Sequence, residues 1–346
     1  MDKKYNIIDL FSGAGGLSLG FEQVGFENIF SVDFMKDYCN TYRKNFPHHK
    51  LIQKDISKLS NEEILNLTKN KKIDVVVGGP PCQGFSMAGK IGRNFIDDPR
   101  NHLFKEFARV VSLTKPKIFV MENVARLYTH NKGRTRKEIT TEFEKLGYEV
   151  KCKILCSADF GVPQIRNRII FIGNRLGLKN AFPDKRYDKD TQTTIHNKKI
   201  KKWKTIKEAI DDLPKLSSGE SSNIPNHEAM SHTEEMLNKM SFIKDGGDRN
   251  QIPIKFRPES GDIRKYIKYD SSKPSICITG DMRKVFHYNQ NRALSVRELA
   301  RIQSFPDSFI FEGNKISQQQ QVGNAVPPLM AKAIAEEIKE MLKQNE

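Results

Sequence analysis

Cys82 closes the stretch VVVGGPPC (75–82), in which an apolar run stops at Gly78-Gly79 and two prolines stiffen the exit. A lone cysteine is ordinarily a small buried hydrophobe. This one is fixed by Pro80-Pro81 and followed by a polar, glycine-containing loop, which suits an exposed thiol nucleophile. Glu122 ends a second apolar run, VMENV (120–124). A carboxyl group at the end of a buried strand costs free energy unless it is satisfied or used. QIRNRIIF (164–171) adds Arg166 and Arg168, whose alternate spacing on extended chain points both to one face. Solvent exposure or a plain ion pair would account for the arginines equally well. Together the residues describe a site with a nucleophilic thiol, a carboxyl group and guanidinium groups.

A second constellation lies near the N-terminus. IIDLFSGAGGLSLGF (7–21) reads as a strand, a turn with Gly13, Gly15 and Gly16, and a helix. Such glycines let the backbone approach a ligand and expose the amides of the helix start. The spacing is not the dinucleotide G-x-G-x-x-G, because Ser18 holds the third glycine's position. Asp33, closing the second strand, is placed to accept hydrogen bonds from ribose hydroxyls, and Asp55, after the third, to reach an adenine amine. This combination favours an adenosine-bearing cofactor with little or no phosphate. S-adenosylmethionine fits, and NAD fits less well.

These residues need a scaffold that brings strand ends together. NIIDLF (6–11), NIFSVD (28–33), IDVVVGG (73–79) and PKIFVMEN (116–123) read as buried strands. The helix-like segments 16–25, 35–46, 61–70 and 101–115 alternate with them. The alternation predicts an α/β fold with a parallel sheet covered by helices on both faces. YEVKCKIL (148–155) and RIIFIG (168–173) are expected to close the sheet as an antiparallel pair. Ligands of such sheets bind beyond the carboxyl ends of the strands, which puts Cys82 beside the cofactor. From about residue 181 to 290 the chain is polar, lysine-rich and poor in helical or strand periods. It reads as a second, loop-rich domain. A helical pattern returns at 291–307, and 327–344 is an amphipathic helix with proline at its start.

The 346 residues carry a formal net charge of +16, with 37% hydrophobic and 29% charged side chains. A balance this basic points to a polyanionic partner, most often nucleic acid. HNKKIKKWKTIKEA (196–209) concentrates lysines around the only tryptophan, Trp203. No apolar run reaches the roughly 18 residues of a membrane span, and the first residues lack a signal-peptide pattern. Five scattered cysteines, with no C-x-x-C pair or zinc spacing, predict a reduced, cytoplasmic and metal-free protein.

The motifs DLFSGAGG (9–16), Asp33, Asp55, GGPPCQGFS (78–86), ENV (122–124), QIRNR (164–168), RELARIQSFPD (297–307) and QQVGNAVPP (320–328) together resemble the bacterial DNA (cytosine-5-)-methyltransferases. The resemblance implies a Rossmann-like methyltransferase fold in residues 1–180 and a variable target-recognition domain in 181–290. A hinge and the end of the small domain would follow in 291–315, and 316–346 would return to the catalytic domain. It makes Cys82 the nucleophile that attacks C6 of a flipped-out cytosine in double-stranded DNA, with methyl transfer to C5. Glu122 would hold the N3/N4 edge. Arg166, with Arg168 as second candidate, would bind O2 and orient the glutamate. The loop SMAGKIGRNFIDDPRN (86–101) would be a mobile lid.

By the same resemblance, S-adenosylmethionine would be lined by Phe11, Ser12, Gly13, Gly15, Asp33, Phe34, Asp55, Ile56, Pro80, Leu103, Asn324 and Val326. Asp33 is shorter than the glutamate common at its position. A monomer is expected, with a cognate restriction endonuclease as functional counterpart but no stable complex. A tRNA methyltransferase on the same scaffold is the nearest alternative, and its characteristic CFT tripeptide is missing from the sequence. A non-catalytic DNA-binding relative would have no chemical need for Cys82, Glu122 and Arg166 together. A dinucleotide oxidoreductase would need the third glycine.

Overall fold

β1 (Asn6–Leu10), β2 (Glu27–Asp33), β3 (Leu51–Gln53), β4 (Val75–Gly78), β5 (Ile118–Val124), β6 (Glu149–Cys156) and β7 (Asn167–Asn174) form one sheet, in the order β3-β2-β1-β4-β5-β7-β6. The computed structural model describes residues 3–69, 71–81, 102–190, 194–195, 198–258 and 265–346. Cys82 and the expected lid, 86–101, lie outside the described residues. β1 to β5 pair in parallel, while β7 runs antiparallel to both β5 and β6. The sheet closes as the sequence predicts, because both closing segments are rich in β-branched and apolar residues.

Contacts group the chain into two units. The first comprises residues 1–156, 167–184 and 330–346, and the second residues 157–166 and 185–329. The first holds the whole sheet. Val75, Val76 and Val77 of β4 are fully buried, as a strand covered on both faces requires. On one face Ile8, Leu10, Val76, Phe119, Met121 and Phe171 form a core with Ile64 of α3 (Asn61–Thr68), with Phe104, Phe107 and Val111 of α4 (His102–Thr114), and with Ile139 and Phe143 of α5 (Arg134–Lys145). The other face meets α1 (Gly16–Glu22) and α10 (Pro328–Lys343). A Cβ on Gly20 would stand 2.4 Å from that of Ala331, so these helices touch backbone to backbone. α2 (Lys36–Asn45) follows β2. α5, with its basic first turn, is the helix of this unit that the sequence reading leaves unrecognised.

The second unit is built from short pieces. β8 (Tyr187–Asp188) pairs with β11 (Lys201–Lys202), β9 (Thr194–Ile195) with β10 (Lys198–Lys199), and β12 (Ile267–Lys268) with β13 (Val285–Phe286). The helices are α6 (Ile206–Ile210), α7 (Glu234–Ser241), α8 (Val296–Ile302) and α9 (Lys315–Asn324). Long-range ties replace long strands here. Arg292 of this unit is fully buried and forks onto Glu298 at 2.6 and 2.8 Å, and Glu298 also closes a capping box with Ser295. The segment 157–166 joins the unit through Gln164, which bridges to Ser275 in parallel.

Candidate active site

In the first unit, strand order reverses between β1 and β4. The chain moves outward through β2 and β3 on one side and through β5 on the other, which opens a crevice beyond the carboxyl ends of the strands. Register puts Leu10 opposite both Val32 and Gly78, and Gly78 opposite Met121. The residues that follow these positions are Phe11, Asp33, Gly79 and Glu122, so the sequence-predicted groups share one edge.

The glycine turn is shaped by its neighbours. Gly13 has φ +56° and Gly15, which caps α1, has φ +100°, a region L side chains rarely adopt. A Cβ on Gly15 would lie 2.4 Å from Cε2 of Phe46. Gly15→Ala is therefore expected to cost about 1–3 kcal/mol in denaturant unfolding and to weaken S-adenosylmethionine binding in calorimetry. A midpoint equal to wild type would mean that this turn is not under that constraint. Beneath the turn, Ser18 Oγ donates to Asp9 Oδ2 at 2.6 Å and meets the Tyr42 hydroxyl at 2.7 Å, which in turn contacts Ser31 Oγ at 2.7 Å. Burial pushes the Asp9 carboxyl up to about 7. This buried network ties β1, α1, β2 and α2 together under the ligand edge.

Asp33 uses both oxygens on the backbone. Oδ2 accepts from the Gly13 amide at 2.9 Å and Oδ1 from the Met35 amide at 2.9 Å. Burial raises its carboxyl above the usual range, and those amides pull it down. The short side chain thus braces the glycine turn against the end of β2, and its remaining lone pairs are the ones open to a ribose. Phe34, beside it, is 60% exposed, which leaves an aromatic face open for stacking. Asp55 Oδ1 takes both the amide and the hydroxyl of Ser57, which hold its carboxyl below the ordinary value. Ile56, Leu103 and Phe11 pack on the core of the sheet, and Ser12 donates its amide to Val32 O at 3.0 Å. Asn324, the last residue of α9, and Val326 belong to the second unit. The glycine cradle, the exposed ring and two carboxylates fit the adenosine part of S-adenosylmethionine.

Glu122 is the centre of the second constellation. Its Oε1 lies 2.7 Å from Arg168 Nε, with both side chains 13% exposed. Glu122 and Arg168 sit two residues apart in the β5–β7 register, where Glu122 faces Ile170, so they reach each other diagonally on one face. A Cβ on Gly79 would be 2.9 Å from Glu122 Oε2, so a side chain there would push this carboxylate from its place. Asn123, nearly buried, donates from Nδ2 to Pro80 O at 2.9 Å and anchors the diproline against β5. Gly79 and Asn123 belong to the motifs GGPPCQGFS and ENV, and their supporting roles are visible only in the fold.

Arg166 has different company. It is 2% exposed, precedes the start of β7, and belongs to the second unit. Its Nη1 donates to Ile278 O at 3.0 Å and to Cys277 Sγ at 3.3 Å, and its Nη2 to Gly323 O at 2.8 Å. Gln164 bonds Gln303, accepts from the Ile278 amide at 2.9 Å, and Gln303 donates to Ala325 O at 2.7 Å. Residues from QIRNR, RELARIQSFPD and QQVGNAVPP therefore interlock in the core of the second unit. Of the two expected arginines, Arg168 is the one paired with Glu122 within the first unit. Among the described residues, no cluster of His, Cys, Asp and Glu is arranged to hold a metal ion.

A seven-stranded α/β sheet with an adenosine cradle at its switch point defines a Rossmann-like, S-adenosylmethionine-dependent methyltransferase. More narrowly, residues 5–340 match the model of the C-5 cytosine-specific DNA methylases, and the chain belongs to that family. It is a DNA (cytosine-5-)-methyltransferase, and S-adenosylmethionine is its methyl donor. It is 62% identical over 334 residues to the Type II methyltransferase M1.HphI of Haemophilus parahaemolyticus, covering 96% of this chain and 86% of that one. It is 35% identical over 382 residues to the Type II methyltransferase M.DdeI of Desulfomicrobium norvegicum, covering 96% and 88%. Among solved structures it is similar to a prophage-encoded DNA modification methyltransferase of E. coli. That similarity has a TM-score of 0.76 and 26% identity, over 98% of this chain and 99% of that one.

Proposed function

We propose that the protein methylates C5 of a flipped-out cytosine within one double-stranded DNA sequence, through a covalent bond between Cys82 and C6. The observation that carries this reading is the Glu122–Arg168 pair at the ligand edge, braced by Gly79 and by the Asn123–Pro80 hydrogen bond. Cys82 follows that braced diproline directly in sequence.

Ring carbons of cytosine are poor nucleophiles until the aromatic system is interrupted. The Cys82 thiolate forms a bond to C6, and the electron pair displaced from the C5–C6 double bond moves toward C5 and N3. Glu122 hydrogen-bonds the N3/N4 edge and shares a proton with N3 as charge develops there. Arg168 holds that carboxylate and offers its remaining donors to O2, while Arg166 acts as a clamp in the second unit. Gly13, Gly15, Asp33, Phe34 and Asp55 would hold S-adenosylmethionine, whose sulfonium would pass its methyl group to C5 and leave as the neutral thioether. C5 then loses its proton to solvent water, the C6–S bond breaks, and the thiolate and aromatic ring return. Extruding the base costs a few kcal/mol of stacking and pairing, which protein contacts to the DNA must offset.

The basic, loop-rich residues 181–290 read the target sequence. The enzyme works as a monomer in the cytoplasm and shields host DNA from a cognate restriction endonuclease acting at the same site, without a stable complex between them. The Type II names of the relatives support this setting. The test is incubation with unmethylated DNA and labelled S-adenosylmethionine, followed by mapping of 5-methylcytosine. Label at one recurring sequence is expected, and exchange of 181–290 for a relative's segment should move it to the relative's sequence. Label confined to RNA would replace the DNA reading with the tRNA one. An unmoved target would remove 181–290 as the reader.

A further inference from the structure

The fifteen residues NVARLYTHNKGRTRK (123–137) contain Arg126, His130, Lys132, Arg134, Arg136 and Lys137 and no Asp or Glu. Arg126, Lys132, Arg134 and Lys137 are exposed, and none of them joins an ion pair among the described residues. Elsewhere on the same unit, some surface lysines are matched with carboxylates: Lys3 with Glu346, Lys71 with Glu27, Lys145 with Glu142 and Lys343 with Glu340. What sets the basic segment apart is six basic side chains within fifteen residues that include no carboxylate.

It is also held in a defined shape. Asn131, Lys132 and Gly133 follow one another at φ 49°, 55° and 84°. Left-handed backbone at a residue with a side chain costs about 1–3 kcal/mol and persists only when its surroundings impose it. The surroundings are visible: His130 Nδ1 meets Thr135 Oγ1 at 2.7 Å, and the Arg136 guanidinium stacks 4.2 Å over the Tyr128 ring. Arg134 and Arg136 stand in the first turn of α5, where no acidic residue offsets them and the positive helix end makes cations unfavourable. The free protein therefore carries concentrated positive charge on a segment that begins one residue after Glu122.

We infer that Arg126, Lys132, Arg134 and Lys137 form a phosphate-binding surface that grips the DNA backbone beside the nucleotide bound at Glu122. The inference rests on the proposed DNA-methylating function and names a contact region within it. DNA presents one negative charge per about 3.4 Å along each strand, a match for a row of unpaired cations. Phosphate contacts of this kind set position and carry no sequence information. Their place next to Glu122 would couple backbone grip to presentation of the extruded base.

The full-length protein with Arg126, Lys132, Arg134 and Lys137 all changed to Gln tests this. Its affinity for a duplex carrying the mapped target would be measured across salt concentrations, together with KM for DNA. Each lost phosphate contact should make the slope of log affinity against log salt shallower by roughly 0.9. The quadruple variant should therefore lose about 2–4 from the slope, with KM for DNA raised about tenfold or more near physiological salt. The comparison protein carries Gln at the paired lysines Lys3, Lys71, Lys145 and Lys343, which removes equal charge. A slope changed as much in that protein, or unchanged in the first, would overturn the contact. Wild-type protein that neither binds nor methylates DNA would remove the functional reading itself. Wild-type protein that does both, beside an indistinguishable quadruple variant, would remove only the phosphate surface.

Discussion

Cys82→Ser is expected to lower methyl transfer by about 10⁴-fold or more while DNA binding persists. A thiol of ordinary acidity offers a few per cent thiolate at neutral pH and is intrinsically nucleophilic, whereas a serine hydroxyl offers almost no alkoxide without a strong base beside it. Binding depends on other groups, so affinity for the target duplex should stay close to wild type. Single-turnover transfer of labelled methyl and a DNA-binding titration separate the two effects. A serine enzyme within tenfold of wild type would sink the covalent assignment. Cytosine bearing fluorine at C5 has no proton to lose there, so the wild-type reaction on it should halt at the protein–DNA adduct. The serine variant should form none.

Arg168→Ala is the second large effect, an expected fall in kcat of about 10²–10⁴-fold. Its guanidinium holds Glu122 at 2.7 Å in a largely buried pair, so its removal frees the carboxylate to rotate away from the N3/N4 edge. Arg168→Lys should recover only part of the loss, because an ammonium keeps the charge without the planar fork. Arg166→Ala should behave differently. It strands the carbonyls of Ile278 and Gly323 inside the second unit, and its main expected effect is about 3 kcal/mol of stability. Thermal unfolding measured beside activity well below the transition distinguishes the two. The assignment fails if Arg168→Ala turns over normally, or if Arg166→Ala melts like wild type yet is inactive.

The first unit was largely legible because its strands are short apolar runs closed by glycine or acid. That pattern directly reports burial on both faces. The turn at Gly13 and Gly15, the end of β2 at Asp33 and the end of β5 at Glu122 could each be placed from local sequence. The second unit resisted because its order comes from partners far apart in sequence. Gln164 with Gln303, Arg166 with Gly323 and His227 with Ser295 leave no periodic trace. The net charge was similarly ambiguous. It counts Arg166, Arg292 and Arg297, which are buried and bonded inside the protein, on equal terms with Arg134 and Lys137, which are exposed.

The sequence by itself determined the strand–turn–helix order, the glycines that a cofactor can approach, and the chemical types at Cys82 and Glu122. These follow from local rules of burial, backbone freedom and spacing. Only the tertiary structure decided which arginine of QIRNR serves Glu122. Alternation predicts that Arg166 and Arg168 point the same way, but it does not say where the chain enters the sheet. β7 begins at Asn167, so Arg168 lies in register near Glu122 and Arg166 is left in the second unit's core. Side-chain direction is a local property, and strand pairing is a property of the fold.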